Sequence, residues 1–214
     1  MYSSKIREDI IDGCGPWEWP AADRGGWEGP VNDWIKEHKP RILKYAQGFD
    51  TVIQAGGCCG LYPRLYATMF RSVYTFEPDP QNFYFLSLNC PQPNIFKFNA
   101  ALGAIASFTS ITERPDGNCG ATTVSHDNLP THLIPVVPLD CFAFHNVDVI
   151  HLDVEGFEPE VIQGAAETID NHRPLILAEN ANHGRAAGLL VDIHKYRYIE
   201  NSAADGLFVP GEWI

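Results

Sequence analysis

From Asp50 onward the chain alternates short apolar runs with stretches of helical period. "TVIQA", "SVYTF", "IFKFNAAL", "VDVIHLDV" and "PLILAEN" are nearly continuous apolar runs bounded by turn residues, which predicts five buried strands. The stretches between them read as helices. In "LYPRLYATMF", Leu61, Leu65 and Met69 recur every four residues. In "PQNFYFLSLNC", Asp79-Pro80 supplies an N-cap and a first-turn proline, and Phe83, Leu86 and Cys90 share a face. "FEPEVIQGAAETIDN" predicts one long helix with Phe157, Val161, Ala165 and Ile169 as its buried stripe and Glu158 and Glu160 in its first turn. "SFTSITERPDGNCGATTV" carries a Pro-Asp-Gly turn and predicts a β excursion or hairpin, followed by an extended "IPVVPLD". "RAAGLLVDIHKY" predicts a helix, and "YRYIEN" with "GLFVP" a terminal strand pair.

Strands alternating with helices predict an α/β fold: a mostly parallel, doubly wound sheet covered on both faces, with an antiparallel strand at the edge. The first residues differ. "GCGPWEWPAADRGGWEGP" fits neither period, and "VNDWIKEHKPRILKYAQ" predicts a helix that Pro40 breaks or kinks. The chain therefore divides into a Trp/Pro/Gly-rich extension with a helix, residues 1–45, and a single domain, 46–214. Two readings of the extension stay open. Either its rings pack onto the domain, or Trp17, Trp19 and Trp27 wall a substrate site as a lid.

Composition narrows the functional classes. The 214 residues are 45% hydrophobic and 20% charged, a globular balance, and the formal net charge is -12. That charge argues against nonspecific binding to nucleic acid or anionic membrane. No apolar run reaches the roughly 18 residues of a membrane span, and the N-terminus lacks a secretory apolar core. Cysteines stand at 14, 58, 59, 90, 119 and 141, with no CxxC pair. Adjacent Cys58-Cys59 cannot easily clasp one metal, so the six read as reduced thiols of a cytoplasmic protein. The sequence leaves the oligomeric state open.

Ligands of open α/β sheets bind beyond the carboxyl ends of the strands. Two features there form a constellation. Gly-Gly-Cys-Cys-Gly, 56–60, follows the first strand, and Glu77 ends the second, one helix and one strand later. Glycines let a ligand lie against the backbone, and a carboxylate at that place accepts both hydrogen bonds of a ribose diol. Together they predict a nucleoside-bearing cofactor. The spacing departs from the G-x-G-x-x-G dinucleotide fingerprint. Gly56 and Gly60, four apart, suit S-adenosylmethionine.

"VIQAGGCCGLYP", "VYTFEPDPQNFYFLSLN", "FNAALG", "VPLD", "VDVIHLDVEGFEPEVIQGA" and "RPLILAEN", in that order, resemble the motifs of the FkbM family of class I S-adenosylmethionine-dependent methyltransferases. The resemblance spans about 51–182. It implies a Rossmann-like methyltransferase fold and methyl transfer, usually to a hydroxyl oxygen, of a small molecule or glycan here, with S-adenosylhomocysteine as product. It implies that Gln54, Ala55, Gly56, Gly57 and Gly60 line the methionine portion. Glu77, Pro78 and Asp79 would hold the ribose side, Asn99 and Ala100 would lie near adenine, and Asp153 would stand beside the sulfonium. Gln54 occupies a position where the family commonly has Asp; it can still accept a hydrogen bond but carries no charge.

Methyl transfer needs alignment and a proton acceptor. Asp153, Glu155 and His183 are the candidate bases. Asp153 and Glu155 share a face of an extended strand and could instead hold a divalent cation, the less favoured reading. Two alternatives remain: a binding or regulatory protein that has lost catalysis, kept open by Gln54, and a NAD-dependent oxidoreductase, disfavoured by the glycine spacing.

Overall fold

The computed structural model describes residues 2–7, 16–24, 31–112, 118–121, 123–125, 133–179, 181, 184–202 and 205–213; for 31–36, 112, 121, 123–125, 201 and 202 the backbone alone is described. His183 and Trp27 lie outside them.

In chain order, β1 (Ser4–Arg7) and β2 (Trp17–Pro20) form an antiparallel pair, and helix α1 (Val31–Tyr45) carries Pro40 inside it. Then come β3 (Thr51–Ala55), α2 (Leu61–Tyr66), β4 (Ser72–Phe76), α3 (Pro80–Asn89) and β5 (Ile95–Phe98). The predicted third strand does not run through to Leu102. It ends at Phe98, and Ala101–Leu102 is a separate strand, β6, in another sheet. The hairpin forms as predicted, β7 (Ser107–Thr112) pairing antiparallel with β8 (Thr123–Ser125). With β9 (Ile134–Val137) these make a four-stranded sheet in the order β6-β9-β7-β8.

The core strand β10 (Val147–Leu152) follows. The long helix predicted after it is two, α4 (Glu158–Gln163) and α5 (Ala166–His172). Two contacts explain the break. A β-carbon on Gly164 would lie 2.0 Å from the Gly103 carbonyl oxygen, so the chain passes that loop at backbone distance. Asp140 then caps the second helix from outside, accepting from the Thr168 backbone N–H at 2.8 Å and from that of Glu167 at 3.0 Å. After β11 (Leu175–Glu179), helix α6 (Gly184–Gly188) widens into a π-turn over Leu189–Ile193. Strands β12 (Tyr196–Ser202) and β13 (Asp205–Pro210) close the chain.

The main sheet has the order β12-β13-β11-β10-β3-β4-β5. The chain steps outward from β3 through β4 to β5, then returns to the other side of β3 with β10. Those pairings and β10·β11 are parallel; β13 runs against its neighbours, between β11 and the edge strand β12. The topological switch point therefore lies between β3 and β10.

Strand alternation gives each face its own core. Val52, Val73, Val149, Leu175 and Leu177 pack one face with Tyr66, Phe85 and Leu86. Ile53, Phe76, Ile150 and Ile176 pack the other with Val161, Ile162, Ile169 and Leu190. Trp17 and Trp19 belong to the first core at 0% and 1% exposure, and the Trp19 indole N–H donates to Asp23 Oδ2 at 2.7 Å. Both rings are buried among the residues of this core. No described helix is long and apolar enough to cross a membrane.

Candidate functional site: the carboxyl edge of the sheet at the switch point

The turn 56–60 leaves β3 through three left-handed residues: Gly56 (φ 86), Cys58 (φ 43) and Gly60 (φ 97). Gly56 and Gly57 N–H both donate to the Phe76 carbonyl at 3.0 Å, and Gly60 caps α2, whose Arg64 N–H bonds its carbonyl at 3.1 Å. Helix α2 thus starts at Leu61. The glycines are required by the protein itself. A β-carbon on Gly56 would lie 1.7 Å from the Asp153 carbonyl oxygen, one on Gly57 2.7 Å from Thr75 Oγ1, and one on Gly60 2.6 Å from Cys90 Sγ. Turn and β10 end are in backbone contact at the switch point.

Gln54 is fully buried beneath this turn, at 0% exposure. Its amide donates to the carbonyls of Ala55 (3.1 Å) and Gly56 (2.7 Å), and its carbonyl accepts from the Thr75 hydroxyl at 2.6 Å. Both amide protons are thereby used on the turn. Sequence reasoning could not see Thr75, because the pairing comes from the Gln54↔Thr75 register of β3 and β4.

Glu77 ends β4, 4% exposed. Its two oxygens accept from the backbone N–H groups of Cys58 (2.6 Å) and Asp79 (2.8 Å). Burial nonetheless outweighs those bonds and pushes its carboxyl up to about 8. Pro78 continues the loop, and Asp79 is occupied as the α3 cap, accepting from Gln81 and Asn82 N–H. Asn99 braces the same loop, donating to the carbonyls of Glu77 and Pro78 at 2.8 and 3.0 Å, while Ala100 is buried beside it.

Across the switch point, Asp153, Glu155 and Glu179 bring carboxylate oxygens within 4.8 Å of one another at the ends of β10 and β11. Glu155 stands at φ 54 and Gly156 at φ 96, and Glu158 anchors this bend by accepting from Val154 and Gly156 N–H. Burial, then the charge of Glu179, pushes Asp153 well above the usual carboxylate range. Burial, then Glu155, pushes Glu179 up to about 7. Glu179 Oε2 is buried with no hydrogen-bond partner. The sequence signal that marks Glu77, an acid ending a buried strand, marks Glu179 too.

Behind the trio lies a network of buried groups that no pattern in the sequence marks. Asp205 Oδ2 is 3.0 Å from His38 Nε2 and 3.1 Å from His151 Nε2, and the Tyr66 hydroxyl is 2.8 Å from His151 Nδ1. The two imidazoles hold Asp205 well below its ordinary value against burial, and burial lowers His151. The structure thus assembles Gly56, Gly57, Gly60, Glu77, Asn99, Asp153 and Glu155 along one edge.

The geometry defines the class first: a seven-stranded, doubly wound sheet with a glycine turn, an acid-terminated second strand and an acidic cluster at the switch point. The chain matches the methyltransferase FkbM domain over residues 64–205 and belongs to that family. Two solved structures share the fold. A methyltransferase FkbM from Methylobacillus flagellatus KT superposes with a TM-score of 0.55 at 17% identity over 75% of this chain and 43% of its own. Trm5b from Pyrococcus abyssi superposes with a TM-score of 0.51 at 13% identity over 97% of this chain and 54% of its own. The chain thus spans about half the length of these structures. No curated protein matches it in sequence.

Proposed function

We propose that the chain is an S-adenosylmethionine-dependent methyltransferase acting on a hydroxyl oxygen of a small molecule or glycan. The observation that carries this reading is the acid trio. Three carboxylates crowded within 4.8 Å repel one another, and two of them are raised by burial and by their neighbours. A cationic ligand would relieve that repulsion. S-adenosylmethionine brings an ammonium and a sulfonium, and it supplies a methyl group on a leaving group already activated by charge. The turn that would hold its methionine end touches Asp153 through Gly56.

On this reading Glu77 accepts the ribose hydroxyls with the lone pairs its two backbone bonds leave open. The Gly56–Gly60 turn and the start of α2 hold the methionine end, with Asp153 beside the positive charge. Glu179, with an oxygen buried and unpartnered and a carboxyl near neutrality, takes the proton of the acceptor hydroxyl. Gln54 holds the turn in shape rather than touching the ligand. The same carboxylates could take a divalent cation, but the chemistry proposed for them does not require one.

Titration calorimetry with S-adenosylmethionine, S-adenosylhomocysteine and NAD tests this. The first two should bind and the third should not. Failure of both would sink the reading, and tight NAD binding would replace it with an oxidoreductase. Binding without turnover across hydroxyl acceptors would leave a cofactor-binding protein without catalysis.

A further inference from the structure

Cys58 and Cys59 carry no role in that reading, and the fold brings a third cysteine to them. Cys119 lies on a short 3₁₀ turn, Cys119–Ala121, 61 residues along the chain from Cys58. The three sulfurs all lie within 4.8 Å of one another, and the Cys58 and Cys119 sulfurs are 3.9 Å apart. We propose that Cys58, Cys59 and Cys119 form a three-thiolate site for a thiophilic divalent ion of the zinc and cadmium class.

The spacing fits the chemistry. Thiolates bound tetrahedrally to zinc at about 2.3 Å lie about 3.8 Å apart. Successive side chains of an extended chain diverge, and adjacent cysteines then face apart. Cys58 is instead left-handed, at φ 43, and this turns its sulfur back toward that of Cys59. A side chain with a β-carbon adopts that backbone at a cost of about 1 kcal/mol, so the conformation is held by its surroundings. The Cys58 N–H is fixed on Glu77 Oε2 at 2.6 Å. The Cys59 carbonyl accepts from Asn89 Nδ2 at 2.7 Å.

Cys119 is placed as firmly. Its N–H donates to Asp23 Oδ1 at 3.0 Å, its carbonyl accepts from Asn82 Nδ2 at 2.8 Å, and Asp23 is itself held by the Trp19 indole. The three sulfurs therefore belong to a built site that joins the cofactor turn, helix α3 and the N-terminal strand pair. Three protein sulfurs leave the fourth position of a tetrahedral ion to water or a small ligand. A bound ion would staple Cys119 to the turn that carries the Cys58–Glu77 bond, making the site a second, ion-dependent brace on the candidate cofactor edge.

Cadmium alone is the probe. The reduced, metal-free full chain should take up one equivalent with a thiolate-to-metal charge-transfer band of three-sulfur intensity. Cys119→Ser should weaken uptake at least about tenfold and lower the band, while Cys141→Ser, on an exposed residue, should change neither. A measurement on the unmutated chain guards against misfolding of a variant: cadmium should protect Cys58 and Cys119, the two half-buried thiols of the site, from iodoacetamide, read residue by residue by mass spectrometry. No uptake, uptake unchanged in Cys119→Ser, or protection of a different set of cysteines would overturn the site. So would recovery of a Cys58–Cys119 disulfide from chain purified under reductant.

Discussion

Gln54 donates its side-chain amide to the carbonyl oxygen of Gly56 across 2.7 Å, so the residue at the family's acid position braces the turn from inside the core. A glutamate there would set a carboxylate against the carbonyls of Ala55 and Gly56 with both donors lost. We expect Gln54→Glu to lower stability by about 2 kcal/mol or more, the cost of unmade bonds in a buried site, read by urea unfolding. If Gln54 instead faced the cofactor, the added charge would tighten S-adenosylmethionine binding and leave the urea midpoint in place.

The backbone plan was legible because it rests on local signals. Strand runs, the Asp79-Pro80 cap and the glycine turn each appear where periodicity and turn chemistry put them. What failed were the places where a tertiary contact overrides a local pattern. The helical stripe through Val161, Ala165 and Ile169 is continuous in sequence, yet Gly164 must pass the Gly103 carbonyl, and Asp140 caps a new helix beyond it. The candidate cluster was legible in its placement: Gly56, Glu77 and Asp153 each follow a strand end, and the structure brings them to one sheet edge. The pairing of Gln54 with Thr75, of His151 with Asp205 and of Cys58 with Cys119 depends on sheet register and loop return, which no single-chain pattern carries.

Glu77 is predicted to serve both cofactor binding and the fold of its loop. Glu77→Ala should weaken S-adenosylmethionine at least tenfold, about 1.4 kcal/mol, by calorimetry at a temperature where circular dichroism shows the variant folded. Its loss also unpairs the N–H groups of Cys58 and Asp79, so a fall in melting temperature is expected as well. An unchanged affinity in the folded variant removes Glu77 from the cofactor site.

The His38–Asp205–His151 cluster is predicted to be structural. Asp205→Ala leaves two buried imidazoles without their shared acceptor and should cost about 3 kcal/mol, in the range for breaking a buried charged pair. Asp205→Asn keeps one acceptor and should cost less. The folded Asp205 carboxyl is depressed, so its contribution is present above the unfolded aspartate value near 3.8 and is lost as pH falls through the folded value. The stability gap between wild type and Asp205→Asn should therefore narrow as pH falls below about 4, and it should not shrink between pH 7 and 5, because the Asp205 charge also raises His151 and favours the wild type as that ring takes up a proton. A gap that stays open in acid would mean that the asparagine fails by packing rather than by charge.

Glu179 and Asp153 are predicted to set the pH dependence of cofactor binding. Both carboxyls are raised in the free protein, Glu179 to about 7. The free chain therefore holds protons there, and this contribution to its stability is fully present below the ordinary carboxylate value and lost as pH rises through about 7. A cationic ligand favours the ionised carboxylates and expels those protons. Its affinity should rise with pH, by up to about tenfold per unit for each proton expelled. Glu77 also titrates in this range, near 8, but the ribose it would hold is common to both cofactor forms. The ratio of S-adenosylmethionine to S-adenosylhomocysteine affinity cancels it and isolates the sulfonium charge. That ratio should climb from pH 5.5 to 7.5 in the wild type and climb less steeply in Glu179→Gln, where Asp153 alone remains to titrate. A ratio independent of pH in the wild type would place the sulfonium away from the acid trio.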